Sequence, residues 1–164
     1  MMASEATLVI IKPDAIRRGL VGAVLARLEP LGLELIGAKM VRVSRELAET
    51  HYRHLREKPF YQELLEYLEG KLHQTWAVLA LVLWGPQAVS RVREAAGATN
   101  PEQAHPQSIR GAFGRVTTAG VMENLLHASS DAHEAQREIA LWFQPHELVR
   151  GGVLSPPSAK AAKG

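Results

Sequence analysis

The chain has no cysteine in 164 residues. Disulfides, thiolate metal sites and a cysteine nucleophile are therefore excluded, and the composition suits a reducing compartment. Aromatic residues make up only 5%, and the first apolar run contains none of them. That is a poor fit to an RNA-binding sheet, which stacks bases on paired aromatics. Long hydrophobic runs are also missing: the longest, "WAVLALVLW", is about half of the ~20 residues that a membrane helix needs. The start, "MMASEATLVI", shows no basic segment followed by a long apolar one, so no secretory signal is expected. No Walker-type glycine-rich phosphate loop occurs. These absences lead to the expectation of a cytoplasmic protein that binds neither membrane nor nucleic acid.

Apolar residues make up 46% and charged residues 22%, the balance of a soluble globular chain. At this length one domain can bury a real core unaided. Residues 1–150 are expected to form it, followed by a mobile tail over 151–164, "GGVLSPPSAKAAKG", rich in small residues and proline. The net charge of +2, with a pI near 9.1, suits a small anionic ligand and is too weak to argue for nucleic acid.

"TLVIIKPDA" opens on a β-branched run that stops at Pro13, as a buried central strand would. In "GLVGAVLARLEPLG" the apolar positions Val21, Val24, Leu25 and Leu28 are spaced for a helix, which Pro30 and Gly32 end. "LELIGAKMVRVS" reads as a second strand, and Ser44 can cap the helix after it. "ELAETHYRHL" and "YQELLEYLEG" read as two short helices separated by Lys58-Pro59. "TWAVLALVLW" is a third strand. "PQAVSRVREAAG" reads as a helix with proline in its first turn and Gly97 just past its end. From Ala98 to Glu123 little pattern is visible, and a loop of that length tends to carry function. "NLLHA" is a short fourth strand. "DAHEAQREIALWF" is a helix capped by Asp131, with Glu134 in its first turn and Ala135, Ile139 and Trp142 facing inward. The expected fold class is α+β, a ferredoxin-like βαββαβ sandwich: an antiparallel sheet with helices on one side.

The stretch "NLLHASSD" places His127 between a strand end and the start of a helix, where free backbone N–H groups favour anions. Ala128, Ser129 and Ser130 leave space beside the ring. Glu138, two turns into that helix, falls at the edge of the buried stripe, half-buried and in need of a partner such as an imidazole. A histidine oriented by a carboxylate beside an anion site is the minimum for accepting a phosphoryl group, although a histidine closing a strand end looks the same locally. Lys12, Arg93, Arg110 and Arg115 are cations at non-periodic positions, and guanidinium groups suit phosphate oxygens because they donate in pairs. His51 and His54 lie three apart in "HYRHL", but no further ligand follows at metal-site spacing. No protein metal site is expected.

Together these residues resemble the nucleoside diphosphate kinase family, from Thr7 to Val149. The segments "IIKPDAIRRGLVG", "HYRHLREKPFYQELLEY", "GATNP", "SIRGAFG" and "NLLHASSDAHEAQREIALWFQPHELV" carry the likeness. The resemblance implies reversible transfer of the terminal phosphate of a nucleoside triphosphate such as ATP to a nucleoside diphosphate through a phosphohistidine, with broad base specificity. It implies that His127 is the nucleophile, that Glu138 and Ser129 organise hydrogen bonds around it, and that Tyr52 lies near the transferred group. Arg93, Thr99 and Arg110 match phosphate-binding positions, and Lys12 and Asn124 match positions serving the sugar hydroxyls and terminal phosphate. Phe60 matches the aromatic that stacks on the base, with Leu64 beside it. The implied cofactor is Mg²⁺ carried mainly on the nucleotide phosphates, and the implied assembly is a homo-hexamer or tetramer.

This sequence departs from the family pattern in several places. Ala128 stands where glycine is commonest, "SSD" replaces "SDS", Ala112 replaces the acid of "RGD", and His54 takes a usually acidic position. Extra residues occur around "GKLHQ" and between Gly114 and Val121. None of these removes the nucleophile or a phosphate contact, which argues against a catalytically inactive scaffold.

Overall fold

Four apolar strands form one sheet in the computed structural model, which describes residues 2–154. In chain order the elements are β1 (Ser4–Ile11), α1 (Pro13–Arg17), α2 (Val21–Leu28), β2 (Glu34–Val41), α3 (Arg45–His51), α4 (Tyr61–Glu69) and β3 (Val78–Pro86). There follow α5 (Ala88–Ala96), α6 (Ile109–Phe113), β4 (Arg115–Val116), β5 (Met122–Glu123), β6 (Leu126–Ala128) and α7 (Ala132–Trp142). The main sheet runs β2-β3-β1-β6, and each neighbouring pair is antiparallel. Strand β1 is therefore central, as its unbroken apolar run requires.

Because β1 is interior, its side chains enter two cores. Leu8 and Ile10 face Ala48, Leu65, Ile139 and Trp142 of α3, α4 and α7. Val9 and Ile11 face Val24, Val92 and Ala96 of α2 and α5. Helices thus cover both faces of the sheet, and the expectation of helices on one side is corrected. A strand alternating between two apolar environments needs a cover on each. Gly151–Leu154 form a single 3₁₀ turn in which Val153 and Leu154 pack on the first of these cores. The rest of the expected tail, 155–164, lies outside the described residues.

The caps read from sequence form as hydrogen bonds: Ser44 Oγ accepts from Leu47 N–H at 3.1 Å, and Asp131 Oδ1 from Glu134 N–H at 2.8 Å. Pro86 does not start a helix. It ends β3 opposite Ser4, where its missing N–H is tolerated. The chain then turns through Gln87 in the left-handed region (φ 53°), and Glu5 Oε1 caps α5 from β1 by accepting Val89 N–H at 3.0 Å. The patternless stretch 98–123 holds α6 and the small β4–β5 hairpin. Gly70 ends α4 at φ 89°, where a Cβ would stand 1.9 Å from Thr75 O, so only glycine allows that turn.

Candidate active site

Strand β6 pairs with β1 so that His127 lies opposite Ile10, and its ring is carried to the sheet's end beside Lys12. The approach is held tightly. Leu125 adopts φ 71°, its N–H donates to Asp14 Oδ2 at 3.1 Å, and its carbonyl accepts Lys12 N–H at 2.8 Å. A non-glycine residue at positive φ needs such external support. Asp14 is fully buried in the "KPDA" turn, where a single acid after proline carries no local signal of such a contact.

Asn124 ties together three other expected site residues and Tyr67. Its Oδ1 accepts from Lys12 Nζ at 3.0 Å and its Nδ2 donates to the Thr99 carbonyl at 3.1 Å. Its own carbonyl accepts from Arg110 Nε at 3.2 Å, and its N–H donates to the phenolic oxygen of Tyr67 at 3.2 Å. Arg110 also donates to Gly97 O at 2.9 Å and Leu126 O at 2.7 Å. Three of its five N–H groups thus hold backbone, and two remain for a ligand. Burial, with the Arg93 charge beside it, lowers Arg110 to about 10. Lys12, 4% exposed, is lowered by burial and by the Arg110 charge to about 7. Asp14 offsets this only in part at Lys12, and buried cations packed so closely have the electrostatic profile of an anion site.

The nucleophile candidate meets its expected carboxylate. His127 Nε2 stands 2.9 Å from Glu138 Oε2, with the histidine side chain 17% exposed. Glu138 is 2% exposed, buried rather than half-buried as its place on the stripe suggested. The approach is close without forming an aligned hydrogen bond, since His127 Nε2 and Glu138 Oε1 both lack a partner among the described residues. Nor is it a resting ion pair. Burial, reinforced by the charges of Lys12, Arg110, His54 and Arg93, holds His127 neutral well below the usual imidazole range. Burial likewise raises Glu138, against the pull of His51 and a hydrogen bond from Ser129. Ser129 Oγ itself accepts from Leu8 N–H at 3.1 Å, clamping the turn after His127 to β1. The buried Tyr52 ring lies 6.4 Å from that of His127.

His51 is the residue that sequence spacing misjudged. Paired with His54 it suggested an incomplete metal site. In the fold His54 is exposed, while His51 turns inward so that it, His127 and Glu138 offer atoms within 4.8 Å of one another. Two imidazoles and a carboxylate would suit zinc, but the protons do not. Trp142 Nε1 is 3.0 Å from His51 Nδ1, and an indole N–H can only donate. The Nδ1 lone pair is therefore used, the ring proton sits on Nε2, and the nitrogen facing the cluster has no lone pair for a metal.

A cavity of about 410 Å³ adjoins the cations, lined by Phe60, Leu64, Leu72, Val121 and Met122 together with Lys12, Thr99 and Asn124. This is a volume typical of small-molecule sites. Phe60 is 49% exposed there, more than packing alone would leave an aromatic. Leu72 and Gly120, which also line it, belong to the two regions of extra residues, and Glu123 joins those regions. His73 Nε2 is 3.3 Å from Glu123 Oε1, whose other oxygen takes Arg115 Nε at 2.9 Å. Arg115 is thereby placed in the loop's own support and not in the cation cluster around Asn124. Among the described residues no helix is long and apolar enough to cross a membrane.

The family model for nucleoside diphosphate kinase matches residues 5–148. A nucleoside diphosphate kinase of Pyrococcus horikoshii is 47% identical over 90% of this chain and 90% of its own. One of Thermus thermophilus is 48% identical over 88% and 99%. Among solved structures, the Halobacterium salinarum enzyme in complex with CDP superposes with TM-score 0.81 at 38% identity, covering 90% of this chain and 92% of that one. A transition-state mimic of the Borrelia burgdorferi enzyme with bound vanadate and ADP superposes with TM-score 0.80 at 33% identity, over 90% and 91%.

Proposed function

This chain belongs to the nucleoside diphosphate kinase family, and on that footing we propose that it transfers phosphate in two half-reactions through His127. It is a phosphotransferase between nucleotides. The observation that carries the two-step reading is a neutral imidazole, held against buried Glu138, beside a knot of Lys12, Asn124, Thr99 and Arg110.

Nε2 is the nitrogen enclosed against Glu138, so the proton resides there and Nδ1 keeps the lone pair. In the first half-reaction Nδ1 attacks the terminal phosphorus and an N–P bond forms. The P–O bond to the leaving diphosphate breaks, and that oxygen takes the electron pair. A second nucleoside diphosphate then attacks the phosphorus through its terminal oxygen; a new P–O bond forms, the N–P bond breaks, and its electron pair returns to Nδ1, restoring neutral His127. Lys12, Arg93, Arg110 and Thr99 gather the phosphate oxygens, and such pre-positioned charge is the main contribution an enzyme makes to this reaction. Tyr52, beside the ring, helps exclude water, and Ser129 fixes the turn. The base enters the apolar cavity against Phe60 and Leu64.

Magnesium, when bound, would supply positive charge that offsets the charge of the phosphates. Of the nearby acids, Asp14 holds Leu125, Asp131 caps α7, and Glu138 is enclosed between two imidazoles. That donor set fits a metal carried by the nucleotide with few or no protein ligands. A homo-hexamer or tetramer is part of the same reading and is checked by light scattering.

A coupled assay with ATP and a second nucleoside diphosphate tests the activity. GDP, CDP, UDP and dTDP are expected to differ in kcat/KM by about one to two decades at most, because stacking on an aromatic face tolerates every base. A four-decade preference for one base would contradict the broad specificity, and absence of transfer would contradict the whole reading.

A further inference from the structure

His51 ends α3, is fully buried, and packs edge-on against three rings. The centroids of Tyr52, His127 and Trp142 lie 4.6, 4.5 and 5.5 Å away. Its protonation is decided by a neighbour and not by solvent. Trp142 donates to Nδ1 at 3.0 Å, so a neutral His51 carries its proton on Nε2. That N–H has no partner among the described residues. A buried donor left unpaired is rare enough to need an explanation. The acceptor recorded near it is Glu138 Oε2 at 3.9 Å, about one ångström beyond a hydrogen bond. Glu138 is under-used as well, with Oε1 also lacking a partner.

We propose that His51 is a positioning residue for phosphoryl transfer, a donor locked by Trp142 whose Nε2–H closes on Glu138 when His127 carries the phosphoryl group. The proposal rests on His127 being the group that is phosphorylated. Phosphorylation at Nδ1 leaves the proton on Nε2 and puts positive charge on the His127 ring, which strengthens its pull on Glu138. A carboxylate has enough lone pairs to accept from both imidazoles at once. Glu138, drawn between them, is then held ionised and aims His127. A second carboxylate acceptor in place of His51 would repel Glu138, and an apolar ring there would leave Glu138 without its second imidazole donor. The groups facing Glu138 are His51, His127, Arg137 and Glu134, with the hydroxyls of Ser129 and Tyr52. Lys12, Arg110, His54 and Arg93 face His127 from its other side.

Single-turnover formation of the phosphoenzyme, measured against pH in His51→Phe, His51→Gln and Trp142→Phe, tests this. His51→Phe keeps a ring and loses the donor. Its rate constant is expected to fall about 10–100-fold, the range seen when an outer-shell partner is removed, with nucleotide KM unchanged. The acid limb of its profile should move to higher pH, because a carboxylate that loses a donor is protonated more easily. His51→Gln retains an N–H at the Nε2 position and should return the limb to the wild-type pH. Trp142→Phe releases the tautomer and should fall between. ¹⁵N spectra of the unmodified protein provide an arm that no folding defect can disturb. They should show His51 protonated at Nε2, with that proton shifting downfield when the phosphoenzyme forms. Wild-type rate and pH limb in folded His51→Phe, or an Nδ1-protonated His51, would overturn the proposal alone. Failure of the wild type to label at His127 would overturn the two-step reading and the proposal with it.

Discussion

Lys12 is expected to make nucleotide binding a proton-linked event. In the free protein it is held at about 7 by burial and by Arg110, so at pH 8 only about a tenth of the molecules carry the charge. A bound polyphosphate supplies the missing counter-charge and returns the lysine to its ordinary range. Binding at pH 8 should therefore take up about 0.9 proton, and at pH 6, where Lys12 is already charged, about 0.1. Phosphate groups themselves are essentially deprotonated at pH 8, so they do not mask the uptake. The same shift fixes the sign for stability. Between pH 7 and 10.5 the unfolded chain binds a proton that the folded chain does not, so this group's contribution improves as pH rises through that window. The full cost, about 5 kcal/mol, is present below pH 7. Titration calorimetry of ADP in buffers of different ionisation enthalpy measures the uptake, and Lys12→Met should abolish it. Zero uptake at pH 8, or the same uptake in Lys12→Met, would refute the reasoning.

Arg110 and Arg115 separate site from scaffold. Arg110→Ala leaves three carbonyls without their donor, so it should lose about 3 kcal/mol of stability in urea and about 2–4 kcal/mol of transition-state stabilisation. Arg115→Ala removes an exposed partner of Glu123 and should cost less than about 1 kcal/mol in either measure; equal losses in both variants would mean that the phosphate site lies elsewhere. Chelation of magnesium should abolish turnover, while calorimetry of Mg²⁺ into nucleotide-free protein should detect no binding at micromolar affinity. A stoichiometric site there would return attention to Asp14 and Glu138.

Local rules were enough for much of this fold. The β-branched run of β1, the Ser44 and Asp131 caps and the inward stripe of α7 depend on near neighbours in sequence, and each forms as read. The pairing of His127 with Glu138 was legible because both lie on one strand–helix unit. Contacts that depend on the third dimension were not. Pro86 resembles a helix-starting proline until β1 is placed beside it. Residues 98–123 show no periodicity because α6 is short and the β4–β5 hairpin has two residues on each side. His51 looked like half of a metal pair with its neighbour His54, although its partners, His127, Glu138 and Trp142, come from far along the chain. Tyr67 reads as one more apolar residue of α4, and only the fold brings its hydroxyl to the Asn124 backbone. Helices on both faces of the sheet follow from the apolar run of β1, which alternation-based reading assigns to burial without saying by what.

The central claim is a covalent intermediate on His127. Incubation with ATP labelled in its terminal phosphate, followed by peptide mapping, measures it most directly. The label is expected on the peptide containing Asn124 to Asp131, stable to alkali and lost in acid. It should leave on addition of a nucleoside diphosphate and be absent in His127→Ala. Retained labelling in that variant, or turnover without any labelled protein, would contradict the claim.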